Sequence, residues 1–114
     1  MKTLILFLSL LSSSALALPG RVPAPSRLYA TADAQGAVLL SLAARTPVEI
    51  RRCTPLWCSV STQGKVGWIP RKQVKAQGNC AGLIAVGLRD LRPGEASYSS
   101  ARDRDGDGLG CDVK

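Results

Sequence analysis

The chain has 114 residues, a formal net charge of +7 and no histidine. A chain of this length has room for one or two small domains, which excludes large multidomain enzymes. Without histidine, a serine or cysteine nucleophile would lack its usual general base, so we expect a binding protein and no enzyme. Apart from Phe7 the only aromatic residues are two Trp and two Tyr. They are too few for a single-strand stacking platform, and nucleic acid is not expected as a partner.

Residues 1–17 have the pattern of a secretory signal peptide. Lys2 supplies the positive charge, residues 4–11 form an apolar run, and Ala15 and Ala17 give small residues at positions −3 and −1 of a cleavage site. The apolar run is shorter than the ~20 residues that span a bilayer, so we expect no transmembrane anchor. The sequence predicts a protein that is secreted or associated with the cell envelope.

Charge divides the remaining chain into two modules. Residues 21–75 hold nine Lys/Arg against two acids, a balance of +7, and residues 76–114 hold five Lys/Arg against six acids, a balance of −1. Such asymmetry indicates modules with different partners. The predicted organisation is a Pro-rich extended lead-in without secondary structure at 18–26, a β module at 27–75, a linker at 76–78 and a second module at 79–114.

Short runs of β-forming residues alternate with turn residues in the first module. The expected strands are 28–31, 38–42, 48–52, 57–61 and 66–69, with turns at 32–36 and 63–64 and with Val74 closing one end. Strands this short, at this spacing, predict a small and strongly bent all-β barrel.

The second module is expected to contain one short helix. Asn79 can cap a helix through residues 80–86, which Gly87 would end. A turn follows at 92–94, and Tyr98 is the only aromatic residue of this module. A piece below about 40 residues seldom folds without a disulfide or a metal, and this one has candidates for both.

Four cysteines follow the signal peptide, an even number in an oxidising destination. We predict the pairs Cys53–Cys58 and Cys80–Cys111, because each pair then lies within one module. The first would close a loop of about six residues and contribute roughly 2 kcal/mol, the second about 30 residues and roughly 3.5–4 kcal/mol. A zinc half-site at Cys53 and Cys58 is the alternative, which the absence of histidine disfavours.

Residues 103–112 (DRDGDGLGCD) have the pattern of a calcium-binding loop. Asp103, Asp105 and Asp107 alternate, so that one tight loop can point three carboxylates at a common centre. Gly108 occupies the sixth position, where the chain must turn too sharply for a side chain. The sequence predicts calcium binding here, and a solvated acidic tail is the alternative.

The rest of the coordination shell is expected from nearby residues. Leu109, at the seventh position, would donate its backbone carbonyl, and Asp112 would bind directly or through water. The twelfth position holds Lys114 where a bidentate Glu is usual, so the affinity should be weak, about 10⁻⁴–10⁻³ M. Arg102 and Arg104 are expected to offset part of the loop's negative charge.

Residues 79–112 resemble the Excalibur domain, an extracellular bacterial calcium-binding region. The resemblance rests on the opening Asn79-Cys80, on the turn at 92–94 with Tyr98, and on the D-x-D-x-D-G-x-x-C-acid ending. It implies a calcium-binding module outside the cytoplasm.

Residues 27–75 resemble a bacterial SH3-type domain. The resemblance rests on the strand at 57–60 (WCSV) and the stretch at 64–70 (GKVGWIP). It implies a binding module of the cell envelope, for peptidoglycan or another anionic wall polymer. The expected fold is therefore mainly β, a small SH3-like barrel followed by a short disulfide-stapled calcium-loop module with one short helix.

Two sets of barrel side chains are candidates for ligand contacts. Trp57 and Trp68 are expected to line an aromatic groove or, alternatively, to lie in the core. Basic residues are candidates for binding an anionic polymer, or else form a solvated positive face. These residues are Arg45, Arg51, Arg52, Lys65, Arg71, Lys72 and Lys75.

Two functions remain open from the sequence. The first is a calcium-binding protein of the cell envelope whose barrel contacts wall polymer. The second gives calcium a purely structural role, in a protein that acts as an accessory or inhibitor of a secreted enzyme.

Overall fold

The structure, a computed structural model, describes residues 17–112. The signal peptide predicted over residues 1–17 lies outside the described residues, except for Ala17. In the part of the chain that is described, no helix is both long enough and apolar enough to cross a membrane.

The described residues are mainly β, as the sequence predicts. The strands are β1 Leu18–Val22, β2 Ser26–Tyr29, β3 Val38–Leu42, β4 Thr46–Cys53, β5 Trp57–Thr62, β6 Lys65–Pro70 and β7 Lys75–Ala76. They form one antiparallel sheet in the order β3-β2-β6-β5-β4-β1-β7. One short helix, α1 (Cys80–Ala85), and 3₁₀ turns at Arg71–Gln73 and Ser100–Arg102 complete the fold. Below, residues 18–76 are called the barrel and residues 79–112 the C-terminal module.

An aliphatic core holds the barrel together. Along β4, Thr46, Val48 and Ile50 are buried and the residues between them are exposed, as the two-residue period of a half-buried strand requires. Leu42 of edge strand β3 and Ala76 of edge strand β7 belong to the same core cluster, so the sheet bends round a single core. Among the described residues no aromatic ring is part of this buried set.

The prediction of a lead-in without secondary structure is wrong, because residues 18–22 form β1. Leu18 pairs with Ile50 and Val22 with Thr46, and Val22 is fully buried. Gly20 makes the close approach possible, since a Cβ there would meet the carbonyl oxygen of Lys75 at 2.8 Å. The strands that pair with β1 are distant in sequence, and the Pro19-Gly20 pair within it does not resemble a strand locally.

The predicted linker at 76–78 is shorter than expected. Ala76 belongs to β7, pairs with Gly20 and is only 3% exposed. Its backbone N–H donates to the hydroxyl of Ser97 at 3.0 Å, and that hydroxyl donates to the carbonyl of Val74 at 2.6 Å. Ser97, which is 1% exposed, therefore serves backbone groups of the barrel from within the C-terminal module.

Helix α1 begins and ends as the sequence predicts. The side chain of Asn79 accepts a hydrogen bond from the Gly82 N–H at 3.1 Å, and Gly87 follows the helix with φ +94°. Gly87 also lies against the backbone of Cys53, where a Cβ would clash with the Cys53 carbonyl oxygen. The Cys53 N–H donates to the Val86 carbonyl at 2.5 Å. The end of the helix is thus packed on the barrel.

Both predicted disulfides form. Cys53–Cys58 joins β4 to β5, with its Cα atoms 4.0 Å apart, and Cys80–Cys111 joins the start of α1 to the acidic loop, with its Cα atoms 5.1 Å apart. None of the cysteines in residues 17–112 is free. The zinc half-site alternative is therefore wrong.

Candidate metal centre and the junction between the modules

The three carboxylates of the predicted calcium loop converge. One oxygen from each of Asp103, Asp105 and Asp107 lies within 4.8 Å of the others. Asp103 is buried, with 8% exposure, and Asp105 and Asp107 are exposed. Oxygen donors gathered on one tight loop suit a hard cation such as calcium, and their exposed side gives it access.

The Asp103 carboxylate is oriented by its own module. It accepts hydrogen bonds from the Tyr98 hydroxyl at 2.7 Å, from the Asp107 N–H at 3.2 Å and from the Gly108 N–H at 3.0 Å. The pKa of Tyr98 is raised, chiefly because its hydroxyl is hydrogen-bonded to Asp103, then by desolvation and by the charges of Asp103 and Asp107. Tyr98 therefore remains a donor to this carboxylate at neutral pH.

Two glycines give the acidic loop its path. Gly106 and Gly108 have φ +68° and +87°, a region that residues with a Cβ rarely adopt. A Cβ at either position would meet nothing within 4 Å, so backbone conformation and not space requires glycine. Between them, the Asp107 carboxylate accepts from the Leu109 N–H at 3.0 Å. The turns bring the alternate aspartates onto one side of the loop.

The loop is closed where it leaves the aspartates. Leu91 and Gly110 form an isolated antiparallel bridge, and the Cys111 N–H donates to the Arg102 carbonyl at 2.7 Å. Together with the Cys80–Cys111 disulfide, these contacts hold both ends of the loop on the module. Both ends of the acidic loop are therefore fixed before a cation binds.

Two of the expected calcium ligands, Leu109 and Asp112, remain predictions. Leu109 follows the aspartates directly and is half-buried. Asp112 is half-buried as well and does not belong to the group of three convergent carboxylates. Coordination through the Leu109 carbonyl, and through Asp112 with or without a bridging water, stays a prediction.

Arg102 forms no salt bridge with a carboxylate of the described residues, and its hydrogen bonds go to backbone carbonyls. Its guanidinium donates to the carbonyls of Ser97 at 2.7 Å, Ala76 at 3.1 Å and Gly78 at 2.7 Å. The guanidinium carries five N–H donors, so it can bond all three carbonyls at once. Arg102, which directly precedes Asp103, therefore bonds the acidic loop to the end of the barrel.

Arg71 is not available to bind a polymer, and its place among the candidates is wrong. Its side chain is 7% exposed and its Nε donates to the Glu95 carboxylate at 2.7 Å. The Nη2 donates to the same carboxylate at 3.2 Å and to the Arg89 carbonyl at 2.7 Å. Arg71 joins the barrel to the C-terminal module, since a buried cation requires a paired acceptor.

The other basic candidates lie on the surface. None of them forms a salt bridge with another described residue. These exposed residues are Arg45, Arg51, Arg52, Lys65, Lys72 and Lys75. The structure is consistent with either a polymer contact or a solvated positive face.

The aromatic residues of the barrel lie outside its core. Trp57 and Trp68 are half-buried, so the alternative that places them in the core is wrong. Tyr29 contacts Trp57 edge-on, with ring centroids 5.8 Å apart, and Tyr29 pairs with Trp68 across β2 and β6. The Arg52 guanidinium lies 5.7 Å from the centre of the Trp68 ring. Aromatic and cationic groups therefore share the outer surface of the sheet.

Sequence reasoning missed the partners that support both regions. Tyr98 supports Asp103, and Glu95 and Ser97 join the two modules. The one available signal was that Tyr98 is the sole aromatic residue of its module. The roles of Glu95 and Ser97 depend on contacts with distant residues and leave no local pattern.

These features define a two-domain protein, a small β-barrel followed by a module with three convergent carboxylates. Residues 22–75 match the bacterial SH3 domain family, and residues 77–111 match the Excalibur calcium-binding domain family. The chain thus carries a bacterial SH3 domain followed by an Excalibur domain, in the order that the resemblances indicate. Comparison with curated proteins and with solved structures gives no significant match.

Proposed function

We propose that this protein is exported, binds calcium through its acidic loop, and attaches by its basic barrel to an anionic polymer of the bacterial cell wall. It acts by binding, without catalysis. Asp103, Asp105 and Asp107 would hold the ion by their side chains and Leu109 by its carbonyl, with Asp112 completing the shell. The bound ion would supply the positive charge that offsets the mutual repulsion of these carboxylates.

The observation that carries the proposal is the separation of charge in the fold. Exposed cations without a carboxylate partner lie on the barrel, among them Arg51, Arg52 and Lys65. The convergent acids lie on the C-terminal module. Clustered charge of one sign attracts ligands of the other sign, so each half of the chain is expected to have its own class of ligand.

A pull-down on purified cell-wall sacculi tests the proposal. The disulfide-intact protein is incubated with sacculi at millimolar calcium, and again with a chelator. We expect retention in calcium that decreases when the ion is removed. No retention under either condition would contradict attachment to the wall.

A second candidate gives calcium a purely structural role. It is favoured by the bonds from Arg102 to the carbonyls of Ala76 and Gly78, because an ion that orders the adjacent loop would then also stabilise the end of the barrel. The same pull-down separates the candidates when it is combined with thermal unfolding. Equal retention with and without calcium, together with a lower melting temperature in chelator, would support the structural role.

A further inference from the structure

A groove of about 830 Å³ lies between the barrel and the C-terminal module. We call it the junction groove. The barrel contributes Leu56, Trp57, Pro70 and Lys72 to its lining, and the C-terminal module contributes Arg89 and Arg92. Grooves of this size that combine apolar walls with a few polar groups are typical of ligand sites. Neither module contains the groove alone.

The barrel wall of the junction groove is held in place. The Cys53–Cys58 disulfide closes the hairpin that carries Leu56 and Trp57, and the Leu56 carbonyl accepts from the Arg71 N–H at 2.9 Å. Leu56 nevertheless has 74% of its surface exposed. An apolar side chain presented by a rigid hairpin loses little conformational entropy when a ligand covers it.

The junction groove carries positive charge that the protein does not neutralise. The charge of Arg71 is balanced by Glu95 at 2.7 Å, and that of Arg89 by Asp90 at 3.4 Å. Lys72 has no carboxylate partner among the described residues.

Arg92 likewise has no carboxylate partner among the described residues, and it lines the same groove as Lys72. The Ala96 N–H donates to the Lys72 carbonyl at 2.9 Å, and the Arg92 N–H donates to the Glu95 carboxylate at 2.9 Å. These two bonds link Lys72 to the segment 92–96, and both Lys72 and Arg92 line the junction groove. Two free cations beside an apolar wall are complementary to a ligand that has a ring and acidic groups.

The backbone of the groove argues against an extended peptide as that ligand. The Thr54 N–H donates to the Trp57 carbonyl at 2.7 Å, and the N–H groups of Trp57 and Leu56 donate to the Thr54 hydroxyl at 3.1 and 3.4 Å. Because these groups are already bonded, the hairpin offers no free strand edge for a peptide backbone. The groove can therefore contact a ligand mainly through side chains, those of Trp57, Leu56, Lys72 and Arg92.

We propose that the junction groove binds an acidic glycan strand, with a sugar ring on Trp57 and Leu56 and carboxylates on Lys72 and Arg92. This inference deepens the proposed function, on which it rests, because it gives the wall attachment a site and a ligand class. The apolar face of a sugar ring packs on an indole, and ammonium and guanidinium groups form charge-assisted hydrogen bonds with carboxylates.

The first test compares two glycans in calorimetric titrations of the full exported protein with its disulfides intact. One is a wall glycan freed of its peptides, whose muramic acid residues carry lactyl carboxylates. The other is a chitin oligosaccharide of equal length, which has the same backbone without carboxylates. We expect the acidic glycan to bind about tenfold more tightly, the effect of two charge-assisted contacts. Equal affinities, or tighter binding of an oligoglutamate peptide, would overturn the inference.

Matched variants test the site. Arg92→Gln should weaken glycan binding about fivefold, whereas Arg27→Gln, which removes the same charge from an exposed position of strand β2, should leave it unchanged. Leu56→Asn should weaken binding about threefold, with Val38→Asn, another exposed apolar position, as its control. Equal losses in a variant and its control would indicate diffuse attraction and overturn the inference.

The pull-down on sacculi separates this inference from the proposed function. If wild-type protein is retained and Arg92→Gln is retained equally well, the wall attachment stands and the groove inference fails. If wild-type protein is not retained, both fail. Melting temperatures of all variants must match that of the wild type within the scatter of the measurement, since every substituted side chain is exposed.

Discussion

Arg71 of the barrel and Glu95 of the C-terminal module form a two-point ion pair, with Nε–Oε1 at 2.7 Å and Nη2–Oε2 at 3.2 Å. Their side chains are 7% and 13% exposed. Because both charges have lost most of their water, neither can lose its partner without a large penalty. The two domains are therefore joined by more than the short peptide between them.

Glu95→Gln should lower the free energy of unfolding by about 3 kcal/mol, because it leaves the Arg71 guanidinium buried without a counter-charge. Urea denaturation provides the measurement. The control is Asp90→Asn, which breaks an exposed pair with Arg89 and should cost less than about 1 kcal/mol. The double variant Arg71→Met/Glu95→Leu should lose less stability than Glu95→Gln. A larger loss in the double variant would show that the pair itself stabilises the junction.

Gly87→Ala should destabilise the protein by about 2 kcal/mol or more, since the new methyl group would clash with the Cys53 carbonyl at a positive φ. Gly94→Ala is its control, because a Cβ there meets nothing within 4 Å. Thermal unfolding of both variants checks the prediction. Similar melting temperatures would mean that the end of α1 does not pack on the barrel as described.

Tyr98→Phe should weaken calcium binding several-fold while the fold is retained. The hydroxyl that the substitution removes donates to Asp103 at 2.7 Å, and without it the carboxylate is less well oriented for the ion. Tyr29→Phe is the matched control, since Tyr29 lies on the barrel. Calorimetric titration of both proteins gives the comparison, and equal affinities would mean that Tyr98 does not act through Asp103.

Asp107→Ala should abolish calcium binding, and Asp105→Asn should weaken it. Each removes negative charge from the three carboxylates that lie within 4.8 Å of each other, and calcium affinity depends on the number of charged ligands. Asp33→Asn, an acid of the barrel loop, should bind as the wild type does. Calorimetry at millimolar calcium decides the outcome. Absence of binding heat in the wild type, or an unchanged response in Asp107→Ala, would contradict the assignment.

Replacing both Cys80 and Cys111 with serine should cost roughly 3.5–4 kcal/mol of stability, and replacing Cys53 and Cys58 roughly 2 kcal/mol, because the first pair closes the longer loop. Only the first double variant should also lose calcium affinity, since only that bond joins the acidic loop to α1. Denaturation and calcium titration of both variants test this. Equal calcium affinity in the two would show that the loop keeps its shape without the crosslink.

The parts of the fold that local pattern determines were predictable. Strand β3 was expected at 38–42 and is found at Val38–Leu42, because an apolar run between turn residues indicates a strand. The Asn79 cap and Gly87 gave the position of α1 for the same reason. The three convergent aspartates followed from spacing alone, since alternate positions of a tight loop face one centre.

The parts that depend on distant partners were not predictable. β1 contains a proline and a glycine, and it forms a strand because β4 and β7 lie on its two sides. Arg71 and Arg102 look like surface cations in the sequence, but Arg71 is buried against Glu95, and the half-buried Arg102 is bonded to the Ala76 carbonyl. Both acceptors are more than twenty residues away in the chain. No rule of local sequence separates such arginines from solvated ones.

The two hydrogen bonds of the Ser97 hydroxyl make it unfavourable to separate the two domains during evolution. This hydroxyl bonds to the last two buried residues of the barrel, Val74 and Ala76, although it lies beyond the boundary at which the SH3 family match ends. A recombination event that gave this barrel a new neighbour would leave those two backbone groups without partners in the interior. Descendants that keep the barrel are expected to keep a small hydroxyl residue at this position, so that the two domains pass through evolution as one unit.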